Sequence, residues 1–139
     1  MRALLTALGI LAVAGTIVHG ATPRTMASSP CQSIMGDPPI SDPIELVAGR
    51  IIDAGNGNVG IPGATVAAFR CSSGSGVSQG TTQTESDGSY SFTLSGGHYY
   101  YVQALLTGPL AGMTPFGTVN PSAAMALGDS VDDVDLAFQ

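Results

Sequence analysis

Of the two histidines, His19 lies in the predicted leader, so His98 is the candidate for proton transfer. His98 follows Ser95 by three residues and aspartates are frequent, so a serine, histidine and aspartate triad can be drawn from Ser95, His98 and an acid. Such a triad requires a nucleophile, a base and an orienting acid in hydrogen-bond contact. Their spacing in the sequence gives no indication that these three residues are in contact. We interpret His98 as a polar histidine beside a turn and predict no catalytic residue and no cofactor.

Oxygen-bearing side chains are the candidate metal ligands, since calcium prefers oxygen donors. Two groups could supply them: Asp129, Asp132, Asp133 and Asp135 near the C-terminus, and Asp53 with Asn56 and Asn58. Neither group has the spacing of a known calcium loop. Strand alternation would place Asp133 and Asp135 toward solvent, where charge discourages edge-to-edge aggregation. We therefore predict no metal site.

Three consecutive tyrosines suggest a binding surface, because sugar rings stack on exposed aromatic side chains. Successive side chains of a strand point to opposite faces. This alternation separates an apolar row, Tyr100, Val102 and Ala104, from a second row, Tyr99, Tyr101 and Gln103. The second row is the candidate ligand-contact stripe. Tyrosine is also a common residue of half-buried strands, and that alternative stays open.

Charge is sparse and acidic, with ten acidic residues, four arginines, no lysine and a net charge of −6. Nucleic-acid binding by counterion release needs clustered lysine and arginine. This class of partner is excluded. The missing lysine also excludes Schiff-base chemistry and a phosphate-loop lysine.

The amino terminus has the layout of a secretory signal peptide, predicted to span residues 1–21. Arg2 precedes an apolar run from Ala3 to Val18, and small residues follow at Gly20 and Ala21. The alternative is a retained membrane anchor, since about 18 apolar residues can just span a bilayer. We expect residues 22–44 to form a Pro- and Ser-rich segment and residues 45–139 to form one domain.

The two cysteines, Cys31 and Cys71, are predicted to form a disulfide, because an exported chain matures in an oxidising compartment. Closing a loop of about 40 residues would stabilise the fold by roughly 4 kcal/mol. The bond would attach the irregular stretch around Cys31 to the end of a core strand. Free thiols are the alternative. A metal site would need more cysteine or histidine ligands.

Composition predicts an all-β protein, because 19 glycines and 9 prolines in 139 residues interrupt helices. Regular turn signals indicate a seven-stranded antiparallel β-sandwich. Predicted strands are 45–53, 64–70, 81–85, 89–94 and 98–106, then a wrapping connection over 105–122 with a short edge strand at 116–119, and a C-terminal hairpin. Predicted inward rows are Tyr90, Phe92 and Leu94 in one strand and Val134, Leu136 and Phe138 in the last.

Turn residues predict how the strands connect. Asp87-Gly88 supplies the positive φ of a tight hairpin, so 81–85 is predicted to pair with 89–94. Gly128-Asp129 is predicted to turn the C-terminal hairpin, and the Ser- and Gly-rich residues 72–80 to be a flexible loop. Both faces of 45–53 carry apolar residues, so we expect the N-terminal segment to cover the second face.

Three motifs stand in a familiar order: Val47-x-Gly49-x-Ile51-x-Asp53, Ile61-Pro62-Gly63-Ala64-x-Val66 and Asp87-Gly88-x-Tyr90-x-Phe92. Together they resemble the carboxypeptidase regulatory-like domain, a transthyretin-like or prealbumin-like β-sandwich grouped with carbohydrate-binding-like folds. The likeness covers about residues 47–138. It implies the fold and little about function, because the motif residues are core and turn positions. The chain ends DLAFQ, so the resemblance does not imply the activity of hydroxyisourate hydrolases, which end in a Tyr-Arg-Gly-Ser tetrad.

The sequence predicts a secreted or cell-surface, non-catalytic module with a structural, adhesive or protein-binding role. One alternative is a carbohydrate-binding module that uses Tyr99, Tyr101 and Gln103, although the chain has no tryptophan. The other is a self-assembling or anchored subunit, joined through strand addition or a retained N-terminal helix. Expected partners are a polysaccharide or another surface protein, with membrane contact only if that helix is retained.

Overall fold

The computed structural model describes residues 29–34, 36–38, 44–126 and 130–139. In these ranges the chain folds into a β-sandwich of two four-stranded sheets, with two 3-10 helices at Ala54–Asn56 and Gly108–Leu110. No helix in the described ranges is long and apolar enough to cross a membrane. The all-β prediction is confirmed, while the described part has eight strands instead of seven. The predicted signal peptide lies outside the described residues.

The strands are β1 (Ile44–Asp53), β2 (Val59–Gly60), β3 (Thr65–Ser72), β4 (Ser75–Gln83), β5 (Ser89–Ser95), β6 (Tyr99–Ala104), β7 (Met125–Ala126) and β8 (Leu136–Phe138). In the first sheet, β1 pairs antiparallel with β5 and β2. It pairs parallel with β8, so the prediction that all strands pair antiparallel is wrong at this pair, because the C-terminal chain crosses over before it reaches β1. The second sheet has the order β4-β3-β6-β7, and all its pairs are antiparallel.

The core lies between the sheets and contains the rows that alternation predicts. Tyr90 is 4% exposed and Phe138 is fully buried, while Phe92 and Val134 pack against the core from partly buried positions. The apolar row of β6, which is Tyr100, Val102 and Ala104, is at most 1% exposed. These predictions are confirmed, because a strand with one buried face imposes a two-residue period.

Gly49 in β1 allows one long side chain to cross the first sheet. The Tyr90 hydroxyl donates a 2.5 Å hydrogen bond to the carbonyl of Val134, on the far side of β1. Gly49 is the Cα partner of Tyr90, and a Cβ at Gly49 would overlap the Val134 carbonyl. Gly49 and Tyr90 belong to two separate motifs, and the packing of the Tyr90 side chain across β1 requires both.

The predicted hairpin between 81–85 and 89–94 is wrong. β4 pairs with β3, whereas β5 pairs with β1 in the other sheet. The turn is present, with Gly88 at a φ of 82°, but the strands that flank it diverge. Thr84 stabilises this crossing, since its buried hydroxyl donates to the Ile61 carbonyl at 2.6 Å and accepts from the Ala64 N–H at 2.9 Å.

The flexible loop predicted for residues 72–80 is also wrong, because most of it forms β4. Ser73 and Gly74 have φ values of 51° and 78°, as a two-residue hairpin loop requires. They join Ser72 directly to its partner Ser75. A Ser- and Gly-rich run becomes a strand here because β3 offers it backbone partners along its length, apart from one register shift between Ala68 and Phe69.

The C-terminal part departs from its prediction as well. β7 pairs with β6 and β8 pairs with β1, so the two strands belong to different sheets and form no hairpin. The predicted turn at Gly128-Asp129 lies outside the described residues. No strand forms over 116–119 in the described part. Instead, Phe116 donates its N–H to the Ala137 carbonyl at 2.9 Å, which covers the outer edge of β8.

The N-terminal segment does not cover the second face of β1, as far as the segment is described. Leu46 on that face is 38% exposed, and Arg50 is exposed. The described N-terminal residues contact the other sheet, because Cys31 is bonded to Cys71 at the end of β3. The N-terminal segment is therefore positioned by the disulfide to β3. It is not positioned by packing on the apolar face of β1.

Candidate functional site

The predicted stripe lies on the outer face of the second sheet, opposite the core row of β6. Tyr99 and Gln103 are half-buried. Tyr101 is only 9% exposed. Alternation therefore placed these side chains on the expected face, but the middle residue is largely covered.

Tyr101 is covered by its neighbours in β3 and β4. Its ring stacks on Phe69 with centroids 4.9 Å apart and planes inclined by 12°, and the two residues are Cα partners. The Tyr101 hydroxyl reaches over Gly76 of β4, where a Cβ would overlap it. Burial raises the pKa of Tyr101. The stripe therefore does not present two adjacent exposed rings.

The disulfide between Cys31 and Cys71 is present, with an S–S distance of 2.03 Å and a Cα–Cα distance of 5.3 Å. Cys31 is fully buried. The bond connects residues 40 positions apart and attaches the N-terminal segment to the end of β3. The predicted pairing and its structural role are confirmed.

His98 lies beside this attachment, at the start of β6. Its Nδ1 is 3.3 Å from Asp37 Oδ1 in the N-terminal segment, and its ring meets Tyr100 edge-on with centroids 6.3 Å apart. Ser95 instead offers its carbonyl, which accepts a 2.7 Å hydrogen bond from the Tyr100 hydroxyl. In the described residues, the Ser95 hydroxyl makes no hydrogen bond to His98. The acid and the histidine that meet here form a solvent-exposed contact between the N-terminal segment and the start of β6.

A groove of about 630 Å³ lies between the N-terminal segment and the hairpin of β3 and β4. Arg70, Asp37 and His98 line it, so it presents a guanidinium, a carboxylate and an imidazole. The Asp37 side chain is 67% exposed, which leaves these charges in contact with water and weakens their interactions. The groove can accept a small polar ligand, but it lacks the dry surroundings that activate a nucleophile.

Three of the described acidic side chains, Asp53, Asp87 and Asp135, accept hydrogen bonds from backbone N–H groups. Asp53 accepts the Gly55 N–H at 3.0 Å and caps the first 3-10 helix, while Asp135 accepts the Arg50 N–H at 2.7 Å. The Ser89 hydroxyl and N–H donate to Asp87, and these bonds lower the pKa of that carboxyl. Among the described residues, no three His, Cys, Asp or Glu side chains converge as metal ligands. Asp129 lies outside the described residues.

Sequence reasoning did not identify three buried polar residues, Glu45, Thr84 and Ser122. Glu45 is 3% exposed, and Ser130 Oγ is 3.5 Å from its Oε2. Thr84 is 6% exposed and makes the two hydrogen bonds described above. The burial of Glu45 could have been predicted, because strand alternation places it on the same face of β1 as the core residues Val47 and Ile51. Thr84 had no such signal, since its partners are 20 and 23 residues away.

No family model and no curated protein matches the chain. Solved structures that resemble it include the following two. The Bacillus anthracis TIE protein has 17% identity and a TM-score of 0.48 over 69% of this chain and 16% of that chain. A Streptococcal ancillary pilin has 20% identity and a TM-score of 0.51 over 70% of this chain and 30% of that chain. The chain thus spans less than a third of either protein, and at this identity the second likeness shows a shared β-rich fold.

Proposed function

We propose that the chain is an exported, non-catalytic β-sandwich module of the carboxypeptidase regulatory-like type, with a structural or protein-binding role. The observation that carries this proposal is the use of its reactive side chains. Asp53, Asp87 and Asp135 hold backbone N–H groups, and His98 contacts Asp37. The three aspartates stabilise the scaffold, and Asp37 and His98, which line the groove, are exposed to water there, whereas catalytic groups converge in a dry, preorganised space.

The disulfide supports export. Such bonds persist in oxidising compartments and are rare where thiols are kept reduced. Cys31 is fully buried and tethers the segment that precedes the domain, so the bond is part of the folded architecture. This is consistent with an extracellular or cell-surface location.

The packing roles of the motif residues support the family assignment. Gly49 allows the Tyr90 side chain to cross β1, and Gly88 forms the turn between the sheets with a φ of 82°. These are the positions in which the chain resembles the carboxypeptidase regulatory-like domain. One solved structure with a similar fold is an ancillary pilin, which favours a role as a structural component.

Export of the full chain tests this proposal. We expect an extracellular protein whose intact mass begins at Ala21 or Thr22, with Cys31 and Cys71 protected from maleimide until a reductant is added. A Cys31→Ala/Cys71→Ala variant is the control for labelling. A chain that stays inside the cell with two reactive thiols would contradict the proposal. A mass that includes residues 1–21 would instead support the anchored alternative.

Carbohydrate binding is the second candidate, and the half-exposed pair Tyr99 and Gln103 favours it. The wild-type protein would then be retained on an insoluble polysaccharide, and a Tyr99→Ala/Gln103→Ala variant would be retained less. Gln83→Ala, at an exposed site on β4, is the control. Equal retention of all three proteins would reject the stripe as a sugar site. Tyr101 is left unchanged because it packs on Phe69.

A further inference from the structure

One side of the sandwich carries two strand edges that have no partner strand among the described residues. In the described part of the chain, β5 pairs only with β1, and β4 pairs only with β3. The sequence of β5, SYSFTLS, contains no charged residue and no proline, which are the usual protections of an exposed edge. All seven residues of β5 pair with β1 without a register shift. This edge is therefore a regular template for another strand.

Hydrogen-bond alternation identifies the free backbone groups of β5. The Ile51 N–H donates to the Gly88 carbonyl at 2.9 Å, so Gly88 and every second residue after it face β1. Ser91 and Thr93 consequently direct their N–H and C=O groups away from β1, and their side chains are exposed. The ends of the strand are occupied, because the Ser89 carbonyl accepts from Glu85 and the Ser95 carbonyl accepts from Tyr100.

We propose that a second copy of this chain pairs antiparallel with β5, about a two-fold axis at Phe92. This proposal rests on the proposed structural role and names its partner. The register places Ser91 opposite Thr93 of the second copy, which are the residues with free backbone groups. Each pair exchanges two hydrogen bonds, and the two-fold axis generates the pair twice. The first sheets of the two copies become one continuous sheet.

The side chains of β5 suit a copy of themselves. In this register Tyr90 lies opposite Leu94 of the second copy, and the two Phe92 side chains face each other at a non-hydrogen-bonded position, where side chains approach closely. Phe92 is only partly buried in the single chain. A second Phe92 would cover its remaining exposed surface.

Charge favours this edge over the acidic parts of the surface. The chain carries a net charge of −6, so two copies repel each other wherever acidic surfaces meet. The β5 edge is neutral, and the nearby Asp87 and Glu85 fall beyond Ser89, opposite Gly97 and Tyr99 of the second copy. Like charges therefore do not meet along the ladder.

The neighbouring β4 edge is less suitable. Its pairing with β3 shifts register between Ala68 and Phe69, and such a bulge interrupts the regular row of donors and acceptors. The Gln79 side-chain amide also donates to the carbonyls of Val77 and Ser78, at 3.0 and 3.2 Å. We therefore use the β4 edge, which is also uncharged, as the control in the experiment below.

Light scattering of the exported protein tests the proposal across concentrations from about 1 μM to about 1 mM. We expect a monomer that converts to a dimer as concentration rises. A Ser91→Lys/Thr93→Lys variant places like charges opposite each other twice, and its dissociation constant should rise at least tenfold. The matched variant Thr81→Lys/Gln83→Lys on β4 should dimerise as the wild type does. Melting temperatures check that both variants fold.

Hydrogen exchange gives a readout that needs no variant. The amides of Ser91 and Thr93 should exchange rapidly in dilute protein and become protected in step with dimer formation. A monomer at every concentration would overturn the proposal, as would dimerisation that only the β4 variant abolishes. Because export and disulfide formation are measured separately, a monomeric exported protein would overturn the dimer and leave the proposed structural role intact.

Discussion

Replacing Tyr90 by phenylalanine tests how the first sheet is held together. The change removes one hydroxyl and keeps the ring in a position that is 4% exposed. The lost group is the donor of the 2.5 Å hydrogen bond to the Val134 carbonyl, which crosses β1 above Gly49. In the described residues, no other group donates to this carbonyl.

The cost follows from leaving that carbonyl without a donor. A buried polar group that loses its partner costs about 1–3 kcal/mol, so we expect the free energy of unfolding to fall by about 2 kcal/mol. In a domain of 60–100 residues, each kcal/mol lowers Tm by about 4–8 °C. The melting temperature should therefore fall by roughly 8–16 °C.

Thermal unfolding followed by circular dichroism measures the effect, with the disulfide kept oxidised. Tyr99→Phe is the matched control, because Tyr99 is half-buried and its hydroxyl makes no hydrogen bond within the described residues. The control should change stability by no more than about 0.5 kcal/mol. If both variants melt at the same temperature, the bond from Tyr90 to Val134 does not stabilise the sheet and the reasoning is refuted.

Three further changes have defined outcomes. The disulfide closes a separation of 40 residues. The Cys31→Ala/Cys71→Ala variant should therefore lose roughly 4 kcal/mol of unfolding free energy, measured by urea titration. A loss below about 1 kcal/mol would contradict the chain-entropy account. Thr84→Val removes both buried hydrogen bonds and should cost about 2–3 kcal/mol, whereas Thr81→Val at an exposed site should be nearly neutral. Burial, with a smaller contribution from the Asp135 charge, raises the pKa of Tyr90, so the folded protein keeps a proton that the unfolded chain loses above about pH 10. Stability should fall as the pH rises beyond that value, and less steeply in Tyr90→Phe; identical slopes would reject this linkage.

The inward rows could be predicted because each depends only on a local two-residue period. Tyr90, Leu94 and Phe138 are buried as their alternation indicated. The disulfide could be predicted for a different reason, since the chain has only two cysteines. Both inferences need no knowledge of which strands lie side by side.

Strand pairing could not be predicted in the same way. The Asp87-Gly88 turn has the local hydrogen bonds of a hairpin, with Gly88 donating to Glu85 at 3.0 Å. Yet β4 and β5 enter different sheets, because Thr84 and Gly88 also bond to Ile61 and Ile51. Those partners are distant in sequence, and a turn motif carries no information about them.

The candidate stripe shows where sequence and tertiary structure divide. The sequence by itself determined that Tyr101 points away from the core, since a strand with one buried face leaves the alternate residues on the other. Only the tertiary structure decided that Tyr101 would be covered, because Phe69 lies opposite it in β3 and Gly76 lies beneath its hydroxyl in β4. Exposure depends on which strands become neighbours and in which register, and these are set by contacts between residues far apart in the chain.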